Sequence, residues 1–164
     1  MADVAPPGLV IRPAIADDFE DLVELDWSSA AHHVSIDPEF YQLPDREASA
    51  AFLRRRLADP NRQVLVAVVD GAVVGMVEVV LVDDPRPGSI IRPVRTADLG
   101  ISVLDDWRRK GIGRALMAAA EASARQRGAS RMVLDMSAAN VDALQFYRSL
   151  GYVEHGRLLR RTLD

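Results

Sequence analysis

LGISVLDDWRRKGIGRA, residues 99–115, is the stretch from which the rest of this chain can be read. Leu99, Ile101 and Val103 share one parity, with small Gly100 and Ser102 between them, which is the period of a half-buried strand. An acidic break follows at Asp105 and Asp106, then Arg108-Arg109-Lys110-Gly111-Ile112-Gly113-Arg114, then the alanine-rich run Ala115–Ala124. A strand that feeds a cationic, glycine-bearing turn into a helix start is suited to holding phosphate. Glycine lets backbone N–H groups approach an anion, and the helix N-terminus adds unpaired donors and a partial positive charge. Four cationic side chains fall within residues 108–114 of a chain whose net charge is −4.

Composition narrows the classes. With 164 residues, 49% hydrophobic and 27% charged, the chain holds enough apolar material for one core. The longest aliphatic run, Val64–Val69, is far too short to span a bilayer. No cysteine is present, so disulfides, thiolate metal sites and cysteine nucleophiles are excluded, and a cytoplasmic setting is expected. His32, His33 and His155 are too few and too scattered for a metal site, and none is expected. The acidic balance argues against a nucleic-acid partner. Of the 20 basic residues only Lys110 is a lysine, and it sits in the glycine turn.

Outward from the turn, Leu9–Arg12 reads as a short strand ended by Pro13. Asp17, with Glu20 three residues on, is expected to cap a helix carrying Phe19, Leu22, Val23 and Leu25. Ser28–Pro44 has no clear period and reads as a long connection. Asp45 is expected to cap a second helix on Ala48, Phe52, Leu53 and Leu57, with Arg54–Arg56 a solvated face. Gln63–Val69 and Ala72–Val82 flank Asp70-Gly71, a hairpin signal, and Glu78 is the only charge inside the second strand. After the central strand, a helix from about Ile112 to Arg127 is stopped by Gly128, its core face being Ile112, Ala115, Leu116, Ala119 and Ala122. Arg131–Met136 reads as a strand, Asn140 caps a helix ended by Gly151, and Tyr152–His155 and Arg157–Leu163 read as two final strands. The helix between the strands at 98–104 and 131–136 makes that pair parallel, within an α/β mixed sheet that carries helices on both faces.

That order, with Arg108-x-x-Gly111-x-Gly113 after one strand and Asn140…Phe146-Tyr147-x-x-x-Gly151-Tyr152 after the next, resembles the GNAT superfamily of acetyl-CoA-dependent N-acyltransferases. The resemblance covers nearly the whole chain and is strongest from Leu99 to Val153. It implies one N-acetyltransferase domain over residues 1–164, built on a mostly antiparallel twisted sheet. That sheet splits into a V between the strands near 98–104 and 131–136. It also implies acetyl transfer from acetyl-CoA to a primary amine by direct attack in a ternary complex. The acceptor would be a small-molecule amine, an amino acid, or a protein N-terminus or lysine. Homodimers are common among similar proteins, and no nucleic acid or membrane partner is implied. The alternative is a non-catalytic acyl-CoA-binding regulator of the same fold, which would keep the glycine loop and lose Tyr147 and Asn140.

In similar proteins the turn binds the CoA pyrophosphate through backbone amides; the matching residues are Arg108, Arg109, Lys110, Gly111, Ile112, Gly113 and Arg114. The preceding strand holds the pantetheine arm through backbone groups, here at Ile101, Ser102 and Val103. Asn140 matches a cofactor-contacting position and reads equally as a plain helix cap. Tyr147 matches the general acid that protonates the departing thiolate. It also shares a helical face with Ala143 and Leu150, as a core tyrosine would. An acceptor amine of pKa about 10 is mostly protonated at neutral pH, so a general base is expected. Asp135, Glu78 and Asp98 compete for that role. Asp135 lies five residues before Asn140, near where the N-terminal acetyltransferases carry a glutamate. Glu78 is the lone strand charge, and Asp98 opens the cofactor strand. The implied acceptor pocket draws on Ser28–Pro44 with His32, His33, Asp37 and Tyr41, on Asp83–Arg95 with Arg86, Arg92 and Arg95, and on Glu154–Leu163.

Overall fold

The computed structural model describes residues 5–82, 85 and 87–163; Arg86 lies outside them. Five strands form one sheet in chain order: β1 Val10–Pro13, β2 Arg62–Val69, β3 Ala72–Val82, β4 Thr96–Val103 and β5 Arg131–Val133. β1 to β4 pair antiparallel in succession, and β4 pairs with β5 in parallel. The β2–β3 hairpin turns at Asp70 and Gly71, whose φ angles of 50° and 83° are the twin positive values that a tight two-residue turn demands. Four helices flank the sheet among the described residues: α1 Phe19–Ile36, α2 Arg46–Leu57, α3 Ile112–Gln126 and α4 Val141–Ser149. None of them is long and apolar enough to cross a membrane.

Alternation sorts the strands onto two cores. Leu65, Val77, Val79 and Ala97 meet Ile112, Leu116, Ala120 and Ala124 of α3 on one face. Val64, Val66 and Met76 meet Leu22, Leu25 and Leu53 of α1 and α2 on the other. Burying each large aliphatic side chain contributes about 1.5–3 kcal/mol.

Five expectations are corrected. α1 does not give way at Ser28 but runs on to Ile36, because Ser28–Ile36 contains no breaker and only Asp37-Pro38 stops it. The residue at its N-cap position is Asp18 rather than Asp17. The buried stripe of α3 is Ile112, Leu116, Met117, Ala120, Ser123 and Ala124, with Ala122 exposed; in so alanine-rich a helix, alanines on every side leave the core face undefined by hydrophobicity alone. β5 ends at Val133 instead of Met136, since β4 no longer lies alongside it. The last two expected strands do not form. Residues 153–163 have no regular structure, and Leu158 and Leu159 are 91% and 88% exposed, so nothing buries the face that their alternation would present.

Asp18 shows what fixes the entry to α1. Its buried carboxylate takes both guanidinium nitrogens of Arg12 (2.7 and 2.8 Å) and the Ile15 backbone N–H (2.8 Å). Hydrogen bonding from Arg12, first of all, holds the Asp18 carboxyl below its usual range. Its stabilisation is therefore present above the unfolded value of about 4 and disappears as pH falls through the lower folded value. Asp18→Asn is expected to cost about 2–3 kcal/mol at pH 7 by chemical denaturation. The gap to wild type should close below about pH 4, and equal stability at pH 7 would contradict this account.

Candidate active site

β4 is paired with β3 along its whole length, but with β5 only at Thr96–Arg131, Ala97–Met132 and Asp98–Val133. Beyond Asp98 the two strands part, and among the described residues the outer edge of Leu99–Val103 has no strand partner. Ile101 packs its side chain against the α3-side core. The Ser102 hydroxyl donates to the Leu25 carbonyl of α1 (3.2 Å). A Cβ added at Gly100 would meet nothing within 4 Å. The V-shaped split therefore has an open backbone edge and an open floor at Gly100.

The glycine turn closes the upper end of the split. Arg109 and Gly111 both take positive φ (57° and 74°), which coils residues 108–111 into the start of α3. The Arg108 side chain folds back on the strand end: Nε donates to the Val103 carbonyl (3.2 Å) and Nη2 pairs with Asp105 (2.9 Å). Lys110 Nζ stands 4.8 Å from the Trp107 ring centroid. Two of the four cations thus brace the turn, while Arg109 and Arg114 are exposed, Arg114 reaching Ser149 Oγ (3.2 Å). The helix's first bond runs from the Ala115 N–H to the Gly111 carbonyl (3.1 Å), which leaves the N–H groups of Ile112, Gly113 and Arg114 without an intrahelical acceptor. Gly113 has a second duty. A Cβ there would lie 3.2 Å from Phe146 Cζ, so its smallness seats α4 against α3.

α4 begins where Asn140 Oδ1 accepts the Ala143 N–H (3.1 Å), confirming the cap. Tyr147 is half-buried, its ring 5.4 Å from Phe146 and 5.9 Å from Tyr152. Burial alone pushes its hydroxyl up to about 12. It is therefore a neutral O–H at physiological pH, able to donate a proton. Tyr152, also raised to about 12 chiefly by burial, points instead at Glu121 Oε1 (3.5 Å) and the Met132 sulfur (3.9 Å).

Two of the three carboxylates that the sequence singled out, Glu78 and Asp98, share the α1–α2 face. Side chains of Arg62, Val80 and Asp98 share one rung of the sheet, and those of Val64, Glu78 and Gly100 share the next on that face. Glu78 is buried at 6% exposure and holds two arginines: Arg56 Nη2 on Oε1, and Arg62 Nη1 on Oε2 (2.5 Å). Arg56 also binds Asp26 through Nη1 (2.9 and 3.1 Å). Arg56 is thus no part of a solvated face. Asp98 lies at the rim, yet partial desolvation raises its carboxyl above the usual range, and the nearby charge of Asp135 acts in the same direction. Hydrogen bonding from the Leu99 backbone and the charge of Arg62 oppose that rise. Asp135 itself is exposed, just past the end of β5.

Asp26, Ser29, Ala30 and His33 recur on one face of α1 and, with Tyr41 and Gln42, line an open cavity of about 260 Å³. His33 Nδ1 bonds the Ser29 carbonyl (2.7 Å), and its ring stands edge-on to Tyr41 (5.0 Å). His32 diverges toward the glycine turn, where burial and then the charge of Arg108 lower its pKa. Asp37 is engaged by Arg160 of the C-terminal segment (3.1 Å). Arg92 is exposed, and Arg95 lies against Gly128 at the far end of α3, so neither joins this cavity. Sequence reasoning missed Asp26, Arg56 and Arg62; of their signals only the lone Glu78, which demanded a partner, was visible.

Residues 19–152 match the model of the acetyltransferase (GNAT) family. The chain is 33% identical over 117 residues to an aminoglycoside N(6')-acetyltransferase type 1 of Stenotrophomonas maltophilia, covering 71% of this chain and 76% of that protein. It is 30% identical over 154 residues to the L-amino acid N-acetyltransferase AaaT of Escherichia coli K12, covering 90% and 85%. Its fold overlays that of AAC(6')-Iy, solved with a bisubstrate analogue of CoA and acetylneamine, at a TM-score of 0.71 and 23% identity, over 95% and 98% of the two chains. The strand–turn–helix, the split sheet and these likenesses agree: this chain is an acyltransferase and belongs to the GNAT family of N-acetyltransferases.

Proposed function

We propose that the chain transfers the acetyl group of acetyl-CoA to the primary amine of a small polar molecule, by direct attack in a ternary complex. The observation that carries this reading is the open edge of β4 running into the unpaired N–H groups of Ile112, Gly113 and Arg114. An extended amide-bearing arm fits the first, and a pyrophosphate fits the second. The acceptor enters over Gly100 from the α1–α2 side, where Asp26, Ser29, His33, Tyr41 and Gln42 offer hydrogen-bonding groups almost throughout. Relatives that act on aminoglycosides and on L-amino acids make these two classes the first acceptors to try.

Tyr147 donates its proton to the departing sulfur, and Asp98, with Asp135 beside it, accepts the proton of the attacking amine. Asp98 is favoured over Glu78 because Glu78 already takes two guanidinium groups, whereas Asp98 carries a raised pKa and makes no ion pair among the described residues. A base must be deprotonated to act, so the rate should climb as pH rises through the raised Asp98 titration. The test is CoA release with aminoglycosides, L-amino acids and simple amines. Activity on at least one class is expected, with Asp98→Asn lowering kcat/KM roughly 10²-fold and flattening the acidic limb. Donor binding without transfer to any amine would favour a non-catalytic acyl-CoA binder.

A further inference from the structure

Glu78 holds two cations away from the acidic rim. Arg62 and Asp98 occupy the same rung of the sheet, two strands apart with Val80 between them. That separation is about 10 Å, within reach of an extended arginine. Glu78 stands on the next rung of the same face, diagonal to both. Its buried carboxylate takes Arg62 on one oxygen and Arg56 on the other, and Asp26 holds Arg56 from the α1 side. Arg62 is only 18% exposed, and its Nε is buried without a hydrogen-bond partner, so the guanidinium has bonding capacity left over. Among the described residues Asp98 makes no ion pair, although Arg62 is near enough for its charge to act on it. The charged groups that share this face with Asp98 are Arg62 of β2, Glu78 of β3, Arg131 of β5 and Asp135 after it, with Arg56 and Asp26 reached through Glu78.

We propose that Glu78 is a positioning residue of this active site: by binding Arg62 and Arg56 it keeps both guanidinium groups off Asp98 and Asp135, leaving those carboxylates free to take a proton from the acceptor amine. This rests on the base role argued for Asp98. The physical reason is competition for one cation. A guanidinium paired directly with Asp98 would stabilise its ionised form and make it a weaker base. A carboxylate buried under α1 and α2 and already shared with Arg56 outbids a rim carboxylate that is better solvated.

The experiment is a titration of the Asp98 carboxyl carbon by NMR in four proteins: wild type, Glu78→Gln, Arg62→Met and the double variant. With Glu78 neutral, Arg62 turns to Asp98 and the Asp98 midpoint falls by about one pH unit or more. Removing Arg62 then shifts the midpoint upward much more in the Glu78→Gln background than in the wild type. Equal shifts in the two backgrounds would show that Glu78 acts only as a distant charge and would overturn the proposal, as would an unmoved midpoint. Glu78→Asp, which shortens the reach but keeps the charge, replaces Glu78→Gln in the cycle if the neutral variant does not fold. The base reading is tested separately by the rate of Asp98→Asn, so midpoints that move as expected beside an unaffected rate would sink that reading and not this one.

Discussion

Tyr147→Phe is expected to lower turnover by roughly 10²- to 10⁴-fold while leaving acetyl-CoA affinity within about twofold. The substitution removes one oxygen and keeps the ring, so its contacts with Phe146 and Tyr152 survive and α4 stays seated. In the folded protein the hydroxyl carries only a burial shift, with no hydrogen bond contributing to it. Deleting it therefore leaves no buried partner unsatisfied, and stability should be preserved. What disappears is a neutral proton donor of pKa about 12. Its pKa lies above that of a thiol, about 8.5, so the hydroxyl stays protonated in the resting enzyme; the free thiolate is the weaker base, so the hydroxyl acts by sharing its proton in a hydrogen bond to the sulfur while negative charge develops there. Equal turnover in steady-state kinetics would remove Tyr147 from the mechanism and make it a packing residue.

Gly111→Asp is expected to weaken acetyl-CoA binding by more than about 100-fold with little loss of fold stability. Gly111 has φ 74°, a left-handed conformation that aspartate and asparagine tolerate better than most residues. Strain is therefore the minor effect, of order 1 kcal/mol. The major one is a carboxylate placed where the turn presents its N–H groups to a pyrophosphate, reversing the sign of the local field. Gly111→Asn separates the two, having the same shape without the charge. It should retain most of the affinity that Gly111→Asp loses. If both lose it equally, the backbone conformation is what matters and the anion argument fails.

Features governed by neighbours in sequence were legible. The Asp70-Gly71 hairpin, the Asp45 and Asn140 caps and the strand–turn–helix at 99–115 each depend on a few adjacent residues whose chemistry admits few alternatives. Features governed by distant partners were not. Arg56 looks like one of three exposed arginines until the fold brings it to Asp26 and Glu78, 30 and 22 positions away. Ser28–Ile36 lacks an apolar period because it lines a cavity, yet it contains nothing that would end a helix. The tail shows the converse: Arg157–Leu163 has the composition of a strand but pairs with neither β5 nor the open edge of β4. Glu78 lies between these cases, since a lone charge in an aliphatic strand announces a function while its partners, Arg56 and Arg62, depend on register.

The central claim is that the turn at 108–114 and the split beside β4 hold acetyl-CoA. Calorimetric titration of acetyl-CoA into wild type and Gly111→Asp tests it most directly, with thermal unfolding in saturating ligand as a second readout. The account predicts a single saturable site in the wild type, stabilisation by a few kcal/mol well above the dissociation constant, and neither effect in Gly111→Asp. Absence of binding to the wild type, or binding that Gly111→Asp leaves intact, would contradict it.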